Sequence, residues 1–370
     1  KGGTTRWRLG GAGRQAPRKG NPWVVSAGAG FGGLTCARAL RPAPVDVLIV
    51  DRKNYHLFTP LLYQVASALL DPGEIARPVR ALIRPLANVD FKVADVIGAD
   101  LEGRRLLTDQ GAIPYDYLVL ATGSQSDYFG NASLAQHAFG LKDLDEGLAL
   151  RNRILSQFEA SSWVTDAALR RVLRTFAVVG AGPTGVELAG SLAELIRLVL
   201  RKDYRDLELS EVRVVLLEGA PAPLGTFAPG LREAARKSLE KKGVEVMLGA
   251  EVESVEEGSI HLVGGKEVAA GTAIWPAGVR ASGLSRRVAI AGTRDGPGMA
   301  RANHTPGKLR FSAEHPYDSR VYANEVLAGA PLFAQEIKDR VVPALQADIA
   351  VFNRWAELGI CRPVDAAHLM

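Results

Sequence analysis

Short apolar runs alternate with longer stretches of helical spacing along most of the chain, the pattern of strands and helices taken in turn. Trp23-Val24-Val25-Ser26-Ala27 and Val45-Asp46-Val47-Leu48-Ile49-Val50 read as strands buried on both faces, because apolar residues crowd rather than alternate. Between them, residues from about Gly32 to Arg41 are spaced as a helix. The same succession returns later, with a strand at Thr175-Phe176-Ala177-Val178-Val179, a helix from about Pro183 to Lys202 and a strand at Val212-Arg213-Val214-Val215-Leu216-Leu217. Leu188, Leu192, Leu195, Ile196 and Val199 recur at helical spacing and are predicted to face the core. Pro183 suits a first helical turn, where its missing N–H costs no bond. Ser26 is a polar intrusion in its strand and reads as a tolerated substitution. Asp143 to Arg174 is polar and helical; Val244-Glu245-Val246-Met247-Leu248 and Ser259-Ile260-His261-Leu262-Val263 read as further strands. The fold class is α/β, built on two parallel Rossmann-like units.

Both strand-to-helix junctions carry the same glycine spacing: Gly28-Ala29-Gly30-Phe31-Gly32-Gly33 and Gly180-Ala181-Gly182-Pro183-Thr184-Gly185. The first glycine makes the tight turn, the second lets a pyrophosphate approach the backbone, and the third lets helix and strand pack closely. The helix N-terminus then offers unpaired N–H groups to the phosphates. Each following strand ends on an acid. Asp51 lies 23 residues after Gly28, close to the spacing expected of the carboxylate that holds a ribose. Glu218 lies 38 residues after Gly180, the excess fitting a longer helix and the polar linker from Asp203 to Glu211. One such loop is a weak signal. Two in full context imply two dinucleotides and an enzyme that passes hydride between them. No arginine follows Glu218 in Gly219-Ala220-Pro221-Ala222-Pro223, so a 2′-phosphate would meet an unneutralised carboxylate and NADH is the expected donor.

Composition narrows the partners. The 370-residue chain has a formal charge of +5, but residues 1–20 carry six basic and no acidic residues, leaving 39 basic against 40 acidic. A near-neutral body excludes nucleic acid as the expected partner. The basic segment, residues 1–21, lacks the apolar stretch of a secretory signal and is expected to be disordered. No apolar run reaches the ~20 residues of a membrane-spanning helix. His56, His137, His261, His304, His315 and His368 show no metal-ligand spacing, so no metal is expected. Cys36 and Cys361 form no CxxC or CxxxxC redox pair, and low cysteine fits a reducing compartment. Cys36 reads as a small, buried helical residue.

Four stretches carry a more specific resemblance: Asp51-Arg52-Lys53-Asn54-Tyr55-His56-Leu57-Phe58-Thr59-Pro60-Leu61-Leu62-Tyr63-Gln64-Val65-Ala66, Tyr115-Asp116-Tyr117-Leu118-Val119-Leu120-Ala121-Thr122-Gly123, Gly182-Pro183-Thr184-Gly185-Val186-Glu187-Leu188-Ala189-Gly190 and Ile274-Trp275-Pro276-Ala277-Gly278-Val279. Over roughly residues 22 to 290 the chain resembles the type II NADH dehydrogenases, single-chain NADH:quinone oxidoreductases that pump no protons. The resemblance implies FAD held by Gly28, Gly30, Gly33 and Asp51, with Thr59 and Pro60 against the flavin and Ala121-Thr122-Gly123 turning past it. It implies NADH held by Gly180, Gly182, Pro183, Thr184, Gly185 and Glu218, with Ala277 and Gly278 closing over it. Glu187 matches a carboxylate placed near nicotinamide and flavin; an acid in the first turns of a helix is its plainer reading. His56 reads as a hydrogen-bonded structural histidine. Tyr63 and Gln64 are equally readable as core and surface residues. Quinone is the implied acceptor. Peripheral attachment to the cytoplasmic side of a membrane and a homodimer are compatible with the resemblance, and a cytoplasmic location follows if the anchor is lost.

The resulting organisation has a basic tail (1–21), the first part of an FAD domain (22–125), an inserted NADH domain with its helical crossover (126–279), a divergent return to the FAD domain (280–345) and a C-terminal segment (346–370). After about Ala289 the resemblance fades. The expected strand ending in Gly-Asp is replaced by Val321-Tyr322-Ala323-Asn324-Glu325-Val326-Leu327-Ala328, with Glu325 the best-placed substitute acid and Ala334-Gln335 a weak match to a flavin-side pair. A truncated or frameshifted enzyme is therefore expected, which bears on flavin retention and membrane attachment. Two alternatives stay open. One is a soluble NADH-dependent reductase passing electrons to a ferredoxin, a rubredoxin or oxygen. The other is a non-catalytic remnant that binds NADH without a complete FAD site.

Overall fold

Two parallel sheets organise the chain, and each is built around one glycine loop. The structure is a computed structural model that describes residues 20–204 and 208–285. The first sheet runs in the order Val89–Val93, Asp46–Asp51, Trp23–Ala27, Tyr117–Leu120, all parallel. The second runs Ala138–Gly140, Thr272–Trp275, Thr175–Val179, Arg213–Glu218, Val244–Leu248, again all parallel. The central strands Trp23–Ala27 and Thr175–Val179 are crowded with apolar residues because both of their faces are covered. Val24 and Ile49 pack beneath the Phe31–Ala39 helix, while Val25 and Leu48 face the opposite side. Ser26 is buried, and its Oγ donates to the Gly28 carbonyl oxygen at 3.4 Å. The hydroxyl thus finds a partner inside the turn, which explains its tolerance in a buried strand.

Each sheet carries a three-stranded antiparallel meander: Val96–Asp100, Arg105–Thr108 and Gly111–Pro114 on the first, Val252–Glu256, Ser259–Leu262 and Glu267–Ala269 on the second. The two units are therefore alike in architecture. A short antiparallel ribbon, Ser124–Ser126 against Val279–Ala281, carries the chain out of the first unit and back. The polar stretch between them forms two helices, Leu144–Ser162 and Ala167–Leu173. Asp143 opens the first with a reciprocal capping box to Glu146, and Asp166 caps the second.

The long helix after the second glycine loop departs from its expected regularity. It is α-helical over Pro183–Leu195, then takes a π turn over Ile196–Leu200 before Arg201–Asp203. The wider π turn shifts the register of the side chains that follow it. Val199, expected in the core from its spacing, is 38% exposed, and Leu200 takes the buried place at 3%. Leu188, Leu192, Leu195 and Ile196 are buried as their spacing predicts. The Gly-Asp replacement at 321–328, Glu325 and Ala334-Gln335 lie outside the described residues.

Candidate functional site

At the first loop, Gly28 has φ +113°, a conformation that L side chains rarely adopt, and a Cβ there would lie 2.1 Å from the Ala121 carbonyl oxygen. A Cβ on Gly33 would lie 1.9 Å from the Gly28 carbonyl oxygen. A Cβ on Gly30 would meet nothing within 4 Å. So the outer two glycines are required by the protein's own packing, and the middle one borders open space. Gly30 is also the N-cap of the Phe31–Ala39 helix, where no side chain takes up the first N–H groups. Asp51 closes the motif: its Oδ2 accepts from Ala29 N at 2.7 Å and its Oδ1 from Lys53 N at 2.9 Å.

The second loop repeats this geometry. Gly180 has φ +97°, and a Cβ there would lie 2.6 Å from the Ala277 Cβ. A Cβ on Gly185 would stand 1.9 Å from the Gly180 carbonyl oxygen. Gly182 caps the Pro183–Leu195 helix without a side-chain bond. Glu218 accepts from Ala181 N at 2.6 Å through Oε2 and from Ala220 N at 2.9 Å through Oε1. A carboxylate has about four lone-pair sites, so both acids keep acceptor capacity for ribose hydroxyls. Each loop is thus a turn of main-chain donors beside an oriented carboxylate, which is the donor set a dinucleotide needs.

The run from Tyr55 to Ala66 joins the two cradles. The His56 and Phe31 ring centroids are 4.7 Å apart, and Phe58 meets Phe31 at 5.7 Å, both edge-on. Nδ1 of His56 lies 3.1 Å from the Ala29 carbonyl oxygen, which makes Nδ1 the protonated nitrogen of the neutral ring. Burial pulls the His56 pKa below its ordinary value, opposed in part by that bond. Thr59 and Pro60 follow in the short turn Thr59–Leu61. The next helix, Leu62–Ala66, packs on the second unit, where Leu62, Val65 and Ala66 share one core with Leu188, Ala189 and Leu192. Ser67 Oγ and Ser191 Oγ meet at 2.7 Å across this junction. Tyr63 and Gln64 are both partly buried, and Gln64 Nε2 donates to the Tyr63 hydroxyl at 3.1 Å. Burial raises the Tyr63 pKa; the Gln64 bond opposes this, and the charge of Glu187 adds to it. Glu187 therefore stands close enough to Tyr63 to act on it across the junction.

The turn at Ala121-Thr122-Gly123 is tied to the returning chain. Thr122 Oγ1 lies 2.5 Å from both Ser282 Oγ and Ser285 Oγ, and Ser282 N donates to the Gly123 carbonyl oxygen at 3.2 Å. Two further residues stand at the second cradle without a motif to announce them. Phe129 has φ +52° and is 70% exposed, and its ring atoms stand 2.7 Å from where a Gly278 Cβ would be. Its amide donates to Asp127 Oδ1 at 3.0 Å, which holds the turn. Glu251 backs the loop after Glu218, its Cβ 3.6 Å from where a Gly219 Cβ would be. Phe129 had only a local Asp-x-Phe-Gly turn signal, and Glu251 had none. Cys36 is half-buried and unpaired in the first helix, with its thiol pKa pushed up by burial. Among the described residues no cluster of three or more His, Cys, Asp or Glu could hold a metal ion. Among them, too, no helix is long and apolar enough to cross a membrane.

Comparison with known proteins matches residues 24–297 to the pyridine nucleotide-disulphide oxidoreductase family. Residues 286–370 match a second model, described as the C-terminal region of YcdC-like proteins. The type II NADH:quinone oxidoreductase Ndh of Mycobacterium tuberculosis is 42% identical over 283 residues, covering 74% of this chain and 61% of that protein. An external alternative NAD(P)H-ubiquinone oxidoreductase of Arabidopsis thaliana mitochondria is 30% identical over 273 residues, covering 69% of this chain and 47% of its own length. The chain thus spans about three fifths of the mycobacterial relative and about half of the plant one. Among solved structures, NDH2 of Plasmodium falciparum in complex with NADH superposes with a TM-score of 0.68 at 22% identity, covering 72% of this chain and 57% of that one.

Proposed function

Because the chain belongs to the pyridine nucleotide-disulphide oxidoreductase family, we propose that it binds FAD at its first glycine loop and NADH at its second and passes electrons to a quinone. The observation that carries this reading is the duplicated cradle: Ala29 N on Asp51 in one unit, Ala181 N on Glu218 in the other, each beside an uncapped helix N-terminus. When bound, FAD would supply the two-electron chemistry between reduced nicotinamide and the acceptor. The chain's own residues bind and orient. Gly28, Gly30 and Gly33 shape the FAD cradle, Asp51 takes the ribose, and Thr59, Pro60 and the Ala121-Thr122-Gly123 turn form its walls. Gly180, Gly182, Pro183, Thr184 and Gly185 do the same for NADH, with Glu218 on its ribose and Ala277 and Gly278 as the lid. Glu187, on the helix that leaves the NADH cradle, sets the charge at the junction beside Tyr63.

The named relatives are quinone oxidoreductases, which supports quinone as acceptor here. Attachment to the cytoplasmic side of a membrane and a homodimer belong to the same proposal. The test is NADH oxidation by the FAD-loaded protein with a soluble quinone, a ferredoxin and oxygen offered separately. A clear preference for quinone is expected; preference for ferredoxin or oxygen would move the chain to the soluble reductases.

One observation favours a second reading. Residues 286–370 match a different family model, and the proposed return to the FAD domain falls within that stretch. If that stretch does not complete the FAD site, the chain binds NADH and holds flavin poorly. Titration with FAD separates the two, since tight stoichiometric binding contradicts the remnant.

A further inference from the structure

Beside the first glycine loop, and sharing Phe31 with it, lies a cleft of about 300 Å³. Its apolar lining is Phe31, Leu34, Phe58, Ile75 and Leu82. Its polar lining is Thr35, Arg38, His56, Glu74 and Arg77. Thr35 and Arg38 stand on the exposed side of the Phe31–Ala39 helix. Arg77 faces His56 across the antiparallel pair Tyr55–Leu57 and Ala76–Pro78.

The charges are unevenly committed. Glu74 is already used, its Oε2 accepting from Asp71 N at 3.0 Å in a capping box. The guanidinium groups of Arg38 and Arg77 have no hydrogen bond or ion pair among the described residues. His56 spends Nδ1 on the Ala29 carbonyl oxygen, which leaves Nε2 for the cleft. The cleft thus brings two guanidinium groups without such partners into one partly apolar lining. Guanidinium groups suit a carboxylate, which they bind through paired N–H donors. At ~30 Å³ per displaced water, the cleft holds about ten waters, or a ligand of roughly a dozen heavy atoms.

We propose that this cleft is a binding site for a small amphipathic carboxylate: an apolar ring or short chain laid against Phe31, Phe58 and Leu82, its carboxylate on Arg38 and Arg77. The site borders the first cradle, with Phe31 common to both, and does not depend on which acceptor the enzyme uses. It touches the first cradle through His56, whose ring holds the Ala29 carbonyl oxygen while Asp51 holds the Ala29 N–H.

The probe is 2-naphthoate, measured by equilibrium dialysis against the purified protein. Saturable binding at one site is expected. Arg38→Gln and Arg77→Gln should each weaken it by about tenfold, the size of one lost charge-assisted hydrogen bond. The uncharged 2-naphthamide should bind about tenfold more weakly or worse on the same ground. Thr35→Trp, on the exposed helix face, fills the cleft and should abolish binding while leaving FAD and NADH titrations unchanged. The proposal is overturned if 2-naphthoate does not bind. Equal binding of the amide, or undiminished binding to the Thr35→Trp protein, overturns it as well.

Discussion

The Glu218 carboxylate accepts the main-chain N–H of Ala181 at 2.6 Å, across 37 residues of sequence. This bond fixes the acid at the mouth of the second glycine loop, where the ribose of a dinucleotide would stand. Glu251 stands behind Gly219. A 2′-phosphate would meet the Glu218 carboxylate. NADH should therefore outperform NADPH by at least about tenfold in kcat/KM, one charge term of about 1.4 kcal/mol. Glu218→Ser should narrow that gap, and Glu218→Ser with Glu251→Arg should narrow it further. Parallel kinetics with both donors and one artificial acceptor decide it; equal use of NADPH by the unaltered protein would contradict the assignment.

The glycines of the first loop separate by what surrounds them. Gly33→Ala puts a methyl 1.9 Å from the Gly28 carbonyl oxygen, so the loop must open. The expected cost is about 3 kcal/mol, the upper end for overpacking, read as a lowered melting temperature of the flavin-free protein. A Cβ at Gly30 meets nothing within 4 Å, so Gly30→Val should cost the flavin-free protein no more than about 1 kcal/mol, the loss of a glycine N-cap. It should nevertheless fail to bind FAD while keeping NADH. Full flavin occupancy in Gly30→Val would show that the FAD cradle has been assigned to the wrong unit.

The strands, the glycine loops and both closing acids were legible because their signals are local: an apolar run, a glycine spacing, an acid at a strand end. Asp51 and Glu218 stand where those signals put them, each on the N–H of the loop alanine. Val199 was misread because helical spacing assumes 3.6 residues per turn, and the π turn at Ile196–Leu200 breaks that period. What tertiary packing assembles was not legible. His56 meets Ala29 from 27 residues away, and Ser67 meets Ser191 from 124. Glu251 and the Arg38–Arg77 cleft reach their places only through such contacts, with no pattern in the chain to mark them, and Phe129 had only its local turn signal.

At the junction, Glu187→Gln should reduce turnover by about tenfold, equivalent to about 1.4 kcal/mol of barrier. FAD and NADH affinities should stay within about threefold, since the residue belongs to neither cradle's donor set. Because the Glu187 charge raises the Tyr63 pKa, the same change should lower it, seen as tyrosinate absorbance forming at lower pH. An unchanged turnover would return Glu187 to the role of an ordinary acid near a helix start.

His56 gives a pH dependence with a definite sign. Burial lowers its folded-state pKa below the ordinary 6.5, so between the two values the unfolded chain binds the proton that the folded protein refuses. Stability should be unaffected by His56 well above pH 6.5, fall as pH drops through 6.5, and level off below the folded pKa. Denaturant melts of the wild-type and His56→Gln proteins across this range check it. The variant should lose that part of the slope; an identical slope would mean that the ring titrates freely.

In the proposed reaction, electrons cross from the second cradle to the first and leave to a quinone. Anaerobic titration of the FAD-loaded protein with NADH tests it most directly. Stoichiometric bleaching of the flavin, reversed on adding a soluble quinone, is the predicted result. A protein that binds NADH but retains no flavin, or whose bound flavin NADH does not bleach, would contradict the account.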